Sequence, residues 1–98
     1  EIINTSIYII SDTSAEAQKL AHRLRLDTNH ELIIEYDYEN SKFKKQLERA
    51  VKKSCDWVVF YMGEERQSAK FKIKNLKQGK EIGDLSYEEL VNKLDSRQ

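Results

Sequence analysis

The stretch D-W-V-V-F-Y-M-G, Asp56 to Gly63, limits the possible folds of this chain most. Six consecutive apolar residues, Trp57 to Met62, are rich in β-branched and aromatic types, and Asp56 and Gly63 bracket them. A run that short and unbroken suits a strand covered on both faces, as in the centre of an α/β sheet. Six residues are too few for a buried helix, and the composition favours a pleated surface. The run reads as the middle of a sheet, and Gly63-Glu64-Glu65-Arg66 as its exit into a polar, basic hairpin.

The flanking segments alternate between the two periods. Ser6 to Ile10 is a β-branched run and reads as the first strand. Thr13 and Glu16 have capping-box spacing and open a helix from about Ser14 to Leu26, with Ala17, Leu20, Ala21 and Leu24 inward. Asp27 to His30 break it, and Glu31 to Tyr36 form a second strand. Asn40 or Ser41 is the expected cap of a second helix. Phe43, Leu47, Ala50 and Val51 face its core side, as far as about Lys53. After Gly63, Phe71 and Ile73 alternate with Lys70, Lys72 and Lys74, the mark of a strand with one covered and one wet face. Lys77 to Lys80 turn, and Glu81 to Asp84 return as a short strand. Ser86 and Glu89 form a capping box with Leu85 and Leu90 at staple positions. A third helix follows with Leu90, Val91 and Leu94 inward, fraying after Asp95. Alternating strands and helices imply right-handed parallel crossovers. The expected fold is α/β: a mixed, roughly five-stranded sheet, its first three strands parallel and then an antiparallel meander, with three helices over its faces.

A chain of 98 residues predicts one domain, residues 1–98. It does not begin with Met and reads as a piece of a larger protein. The 17 basic and 17 acidic residues balance, so only a local patch argues for nucleic acid. The single Cys55 excludes an internal disulfide and leaves too few soft ligands for a zinc cluster. No apolar run approaches the length of a membrane span and no signal-peptide pattern opens the chain, so the expected location is cytoplasmic, with no membrane partner.

Ligands of open α/β sheets sit outside the carboxyl ends of the strands. Here those ends lead into Ser11-Asp12-Thr13, Asp37 to Asn40, and Gly63 to Gln67. The first loop has no Gly to let backbone approach a pyrophosphate, and no Walker-type loop is present. The third strand ends in Met62-Gly63, where a response regulator would carry a phosphorylatable Asp. Capping and turn roles account for Asp12 and Asp37. His22 and His30 are not spaced as ligands or as a catalytic pair, and Cys55 reads as a small core residue. No catalytic residue, metal or cofactor is expected.

The basic residues remain. Lys45, Arg49, Lys52 and Lys53 fall on one stripe of the second helix, with Lys42 and Lys44 nearby. Lys70, Lys72 and Lys74 project from one face of the late strand. Separately, these are a solvated helix face and edge lysines that block aggregation. Together, with Arg66 and Gln67 between them in sequence, they predict a surface for a polyanion. Single-stranded RNA is read by side-chain edges, aromatic faces and Arg planes, with lysines on its phosphates. Tyr38, Arg66 and Gln67 can supply such edges.

From Phe43 onward the residues carry a resemblance. K-F-K-K-Q-L-E-R-A, D-W-V-V-F-Y-M-G-E-E, F-K-I-K-N-L-K-Q-G-K-E and L-S-Y-E-E-L follow one another in order. This series resembles the C-terminal anticodon-binding domain of class II aminoacyl-tRNA synthetases, within that group the histidyl branch. The matches are Lys45-Gln46-Leu47, Gly63-Glu64, Ile73-Lys74-Asn75-Leu76 and Gly79. The resemblance covers nearly the whole chain in layout and mainly Lys42 to Leu94 in residues. It implies a five-stranded mixed sheet with three helices and tRNA as partner, bound by its anticodon stem and loop. Aminoacylation would belong to a separate catalytic domain using ATP and Mg²⁺. On this reading Lys45, Arg49 and Lys52 contact phosphates, and Arg66, Gln67, Lys72 and Lys74 lie near the anticodon bases.

The chain departs from the family pattern in places. Gln78 stands where a threonine is usual, Lys80-Glu81 where Glu-Gln is usual, and Arg66 where a second acid would fall. The loop after the first strand lacks the small or proline-rich residues typical of the family. These departures bear on base readout more than on fold. Two other readings stay open. One is a synthetase-like regulatory domain of a starvation-sensing protein kinase, with tRNA, the ribosome or a second copy as partner. The other is a protein-interaction module using an uncovered edge strand.

Overall fold

The apolar runs assemble into one sheet. The computed structural model describes residues 5–28 and 32–95. Its strands are β1 (Thr5–Ile10), β2 (Leu32–Tyr36), β3 (Trp57–Phe60), β4 (Phe71–Asn75) and β5 (Lys80–Leu85), in the spatial order β2-β1-β3-β4-β5. The first three are parallel; β4 and β5 are antiparallel to their neighbours. The expected mixed five-stranded sheet is thus observed. Its helices are α1 (Ser14–Asp27), α2 (Phe43–Lys52), α3 (Gly63–Ser68) and α4 (Tyr87–Asp95). His30, Glu31 and the chain beyond Asp95, to which the sequence reading assigned a turn, a strand start and fraying, lie outside the described residues. None of the helices among the described residues is long and apolar enough to cross a membrane.

Strand alternation divides the core in two. Ile7, Ile9, Ile34, Val59, Phe71 and Ile73 pack against Leu20 and Leu24 of α1 and Leu90 and Leu94 of α4. Tyr8, Ile10, Val58 and Phe60 point the other way, to Leu47 and Ala50 of α2. Each fully buried aliphatic or aromatic side chain contributes about 1.5–3 kcal/mol. β4 turns Phe71 and Ile73 into the first cluster, so Lys72 and Lys74 project from the side that α2 covers.

Three local expectations are corrected. First, the exit from β3 is a short helix, not a hairpin. The Glu65 carboxylate accepts the Met62 N–H at 2.8 Å, and Glu64 and Glu65 sit at the positive end of the helix dipole. Ala69, in the left-handed region at φ 56°, ends it. β3 is correspondingly shorter than the apolar run, and Met62 becomes the cap of α3. Second, α2 starts after Lys42, which gives no side-chain cap. Asn40 serves α1 instead, its Oδ1 accepting the Ser14 N–H at 2.7 Å. The Ser41 N–H is drawn to the Asp37 carboxylate. Third, Val51 is exposed, and Gln46 is buried on α2. The Gln46 Oε1 accepts the Ser11 N–H at 3.1 Å, and its Nε2 donates to the Ser11 carbonyl at 2.7 Å and the Ser41 carbonyl at 2.6 Å. One amide thus joins the end of β1 to the start of α2.

The last capping box forms as expected. The Ser86 N–H reaches Glu89 Oε1 at 2.9 Å, and the Glu89 N–H reaches Ser86 Oγ at 3.2 Å.

Candidate nucleic-acid interface

The β3–β4 register sets Lys72 opposite Phe60 and Lys74 opposite Val58. α2 lies beside them on the same side of the sheet, its Phe43 ring stacked near Phe60 with centroids 5.7 Å apart. Between the flank of α2 and the β4–β5 ribbon runs a groove of about 540 Å³. Phe43, Leu47, Phe60 and Met62 supply its apolar lining, Lys72 and Lys74 its cations, and Glu64, Glu65 and Glu81 its acids. The Lys72 Nζ lies 5.5 Å from the Phe60 centroid and 3.5 Å from Glu81 Oε1. Lys74 has no ion pair among the described residues.

Helical periodicity places the α2 cations differently from one another. With Gln46, Leu47 and Ala50 turned to the sheet, Lys45 and Lys52 occupy the solvent crest. Lys42, Lys44 and Lys45, with Asn40, Ser41 and the single acid Glu48, line a shallow basin of about 600 Å³ at the start of α2. That first turn contains no acid. The positive end of the dipole and three ammonium groups therefore add. Arg49 falls on the opposite flank, toward β2. Its guanidinium bonds the Asp37 carboxylate and reaches Ser41 Oγ at 3.4 Å. Burial alone would raise the Asp37 carboxyl, yet the hydrogen bonds from Ser41 and Arg49 hold it below the usual Asp value.

Arg66 on α3 is also engaged. Its two terminal nitrogens meet Asp12 Oδ1 and Oδ2 at 2.5 and 3.3 Å, and one donates to the Tyr61 carbonyl at 3.3 Å. The hydrogen bond from Arg66 holds the Asp12 carboxyl below its ordinary value. Gln67 is exposed on the same short helix.

The structure thus brings Lys72 and Lys74 into the groove and sets Lys45 and Lys52 on the helix beside it. Arg49 and Arg66 are committed to internal carboxylates. Sequence reasoning missed the aromatic lining. Phe43 counted as a core residue, but it is 41 % exposed. Only strand pairing places Phe60 beside Lys72, and periodicity does not reveal pairing. Among the described residues no group of His, Cys, Asp and Glu is arranged to hold a metal ion. Cys55 is buried, and burial pushes its thiol up, away from the reactive thiolate.

Comparison with known proteins adds the following. Residues 4–97 match the family model described as the anticodon binding domain. No match was found among curated proteins. Apo histidyl-tRNA synthetase from S. aureus superposes with a TM-score of 0.76 at 21% identity, over 95% of this chain and 24% of that one. Histidyl-tRNA synthetase from Nostoc sp. PCC 7120 gives 0.71 at 18% identity, over 93% and 21% of the two chains. The RNA binding domain of threonyl-tRNA synthetase from Cryptosporidium parvum Iowa II gives 0.72 at 13% identity, over 92% and 22%. The chain spans about a quarter of the length of these solved chains or less. At such identities the likeness is one of fold.

Proposed function

This chain belongs to the anticodon binding domain family, and from that premise we propose that it binds the anticodon stem and loop of a tRNA. It does so as a non-catalytic module of a histidyl-tRNA synthetase or a synthetase-like parent working in the cytoplasm. The observation that carries the proposal is the groove: Lys72 and Lys74 share one side of the sheet with α2 and flank an aromatic lining. RNA loops splay their bases, and a splayed base needs an apolar or aromatic surface with cations nearby for the phosphates. Phe43 offers that surface to an incoming base, and Lys72 and Lys74 offer the charge.

Lys45 and Lys52, on the exposed crest, take phosphates of the stem. Gln67 offers an amide edge to a base. Arg49 and Arg66 act through their ion pairs: Arg49 holds the 37–41 loop under α2, and Arg66 holds α3 against the β1 loop at the end of the groove.

Titration of the chain with a 17-nucleotide anticodon stem-loop, followed by fluorescence anisotropy at several salt concentrations, tests the reading. The affinity should fall steeply with salt, by about 0.7–0.9 in log K per log salt for each phosphate engaged. A histidine-type hairpin should bind more tightly than hairpins with other anticodons. Salt-independent binding, or none at low salt, would overturn the proposal; tight binding without anticodon preference would leave the RNA-binding part and remove the histidyl part.

A further inference from the structure

A second concave surface lies across the sheet from the groove, between α1 and the β2 edge. It measures about 480 Å³, within the range of small-ligand clefts, roughly 300–1,000 Å³. Gln18, Lys19, His22 and Arg25 recur every turn of α1 and line one wall, and Tyr36 lines the other. Ala15 and Ala21 complete the lining with small side chains. Among the described residues Lys19 has one ion pair, an exposed i,i+3 contact to Glu16 at 3.2 Å, a weak tie. Arg25 donates one N–H to the Ile34 carbonyl at 3.4 Å, which leaves the rest of its fork without a partner among the described residues. Tyr36 is itself backed by Tyr38, with ring centroids 4.7 Å apart.

We propose that this cleft is a second nucleotide-binding site, taking one nucleotide with its base against Tyr36 and its phosphate between Lys19 and Arg25. The chemistry follows from the lining. An aromatic face accepts any base by stacking. A guanidinium fork and an ammonium are the usual phosphate partners, and the Gln18 amide offers both a donor and an acceptor to a base edge. The inference rests on the proposed RNA-binding role only for its choice of RNA over other nucleotide sources. The cleft shares no residue with the groove and lies on the α1 side of the sheet, so one RNA strand reaching it must pass around the β2 edge, where Tyr38 is exposed.

Amide chemical-shift mapping of the 98-residue chain tests it, with a five-nucleotide oligoadenylate and, separately, adenosine monophosphate. The oligonucleotide should move the amides of Lys19, His22, Arg25 and Tyr36. These shifts should vanish in the double variant K19E/R25Q and persist in K72E/K74E. The double variant should lower the salt slope of binding by about 0.7, the loss of one phosphate contact on a single strand. Tighter binding of the oligonucleotide than of the mononucleotide assigns the site to an RNA strand; equal binding assigns it to a free nucleotide. Unmoved cleft amides, shifts that survive K19E/R25Q, shifts lost in K72E/K74E, or the same shifts from pentaglutamate would each overturn the inference. Both α1 substitutions are at exposed positions, and unchanged amides elsewhere verify the fold. Failure of the groove reading would show separately, as hairpin binding that K72E/K74E leaves intact.

Discussion

Lys72 stands directly across the β3–β4 ladder from Phe60, its ammonium 5.5 Å from the ring centroid, and Phe43 of α2 stacks near the same ring. A cation on one strand, an aromatic on the next and a second aromatic on the covering helix are thereby gathered at one place. α2 covers β1 and β3 and leaves the β4 lysines open. That incomplete coverage makes a groove on the face opposite the one packed against α1 and α4.

Of the aromatics lining the groove, Phe43 is the one more available to a base. Phe43→Leu keeps an apolar side chain against Phe60 and, because the site is already partly exposed, should cost less than about 1.5 kcal/mol of stability, mostly the lost ring pair. Its effect on hairpin binding should be larger than its size suggests, about 1–2 kcal/mol, if a base stacks there. Fluorescence anisotropy with the anticodon hairpin, paired with a urea melt, separates the two effects.

Gln46 should matter to folding far more than its polarity implies. Its amide satisfies both backbone groups of Ser11 and reaches Ser41 as well. Gln46→Ala strands buried donors and acceptors and should destabilise by about 2–3 kcal/mol. Lys45→Ala, one residue away on the crest, should stay within about 0.5 kcal/mol of the parent chain. Urea midpoints for the two variants check the contrast.

Asp37 predicts an acid dependence. The hydrogen bonds of Ser41 and Arg49 overcome the effect of burial and hold its carboxyl below the ordinary Asp value. The folded state therefore binds fewer protons than the unfolded state in the interval between the two values. The stability this contributes is fully present above the unfolded value and is lost as pH falls through the folded one. Asp37→Asn should cost about 1–3 kcal/mol at pH 7. The difference between it and the parent chain should shrink as pH drops below about 4. Denaturant midpoints measured from pH 7 to pH 2.5 would show this convergence.

Much of this architecture was legible because patterning and caps agreed. The apolar run from Trp57, the alternation of Phe71 and Ile73 with lysines, and the Ser86–Glu89 box each point to the element that forms. α3 was not legible, because it buries no residue and so leaves no apolar period. It is held by its own caps and by the Arg66–Asp12 pair, a contact across 54 residues. The start of α2 was misread for a related reason. Asn40 is a good cap, but tertiary structure offers it the N-terminus of α1. The candidate site was legible as lysines with the right periods. Its aromatic lining depended on which strand neighbours which, and sequence spacing is silent on that.

Ala69 carries backbone strain that glycine would relieve. It ends α3 at φ 56°, a left-handed conformation costing an L-residue about 1–2 kcal/mol. Ala69→Gly removes that cost while adding some entropy to the unfolded chain, so a net gain of about 0.5–1 kcal/mol is expected. Thermal unfolding of the variant should show a rise in Tm; Ala69→Val should show a fall.

The most direct test of the central claim is the affinity of the anticodon hairpin for the double variant K72E/K74E, measured beside the parent chain at low and at moderate salt. Both side chains project from the side of the sheet that α2 leaves partly open, so the variant should keep its fold; its new carboxylates meet Glu81, which pairs with Lys74 and lies 3.5 Å from Lys72, and lower its unfolding midpoint modestly. The account predicts at least about a tenfold loss of affinity at low salt and a shallower salt dependence. Equal affinity and an equal salt slope in a folded variant would contradict it.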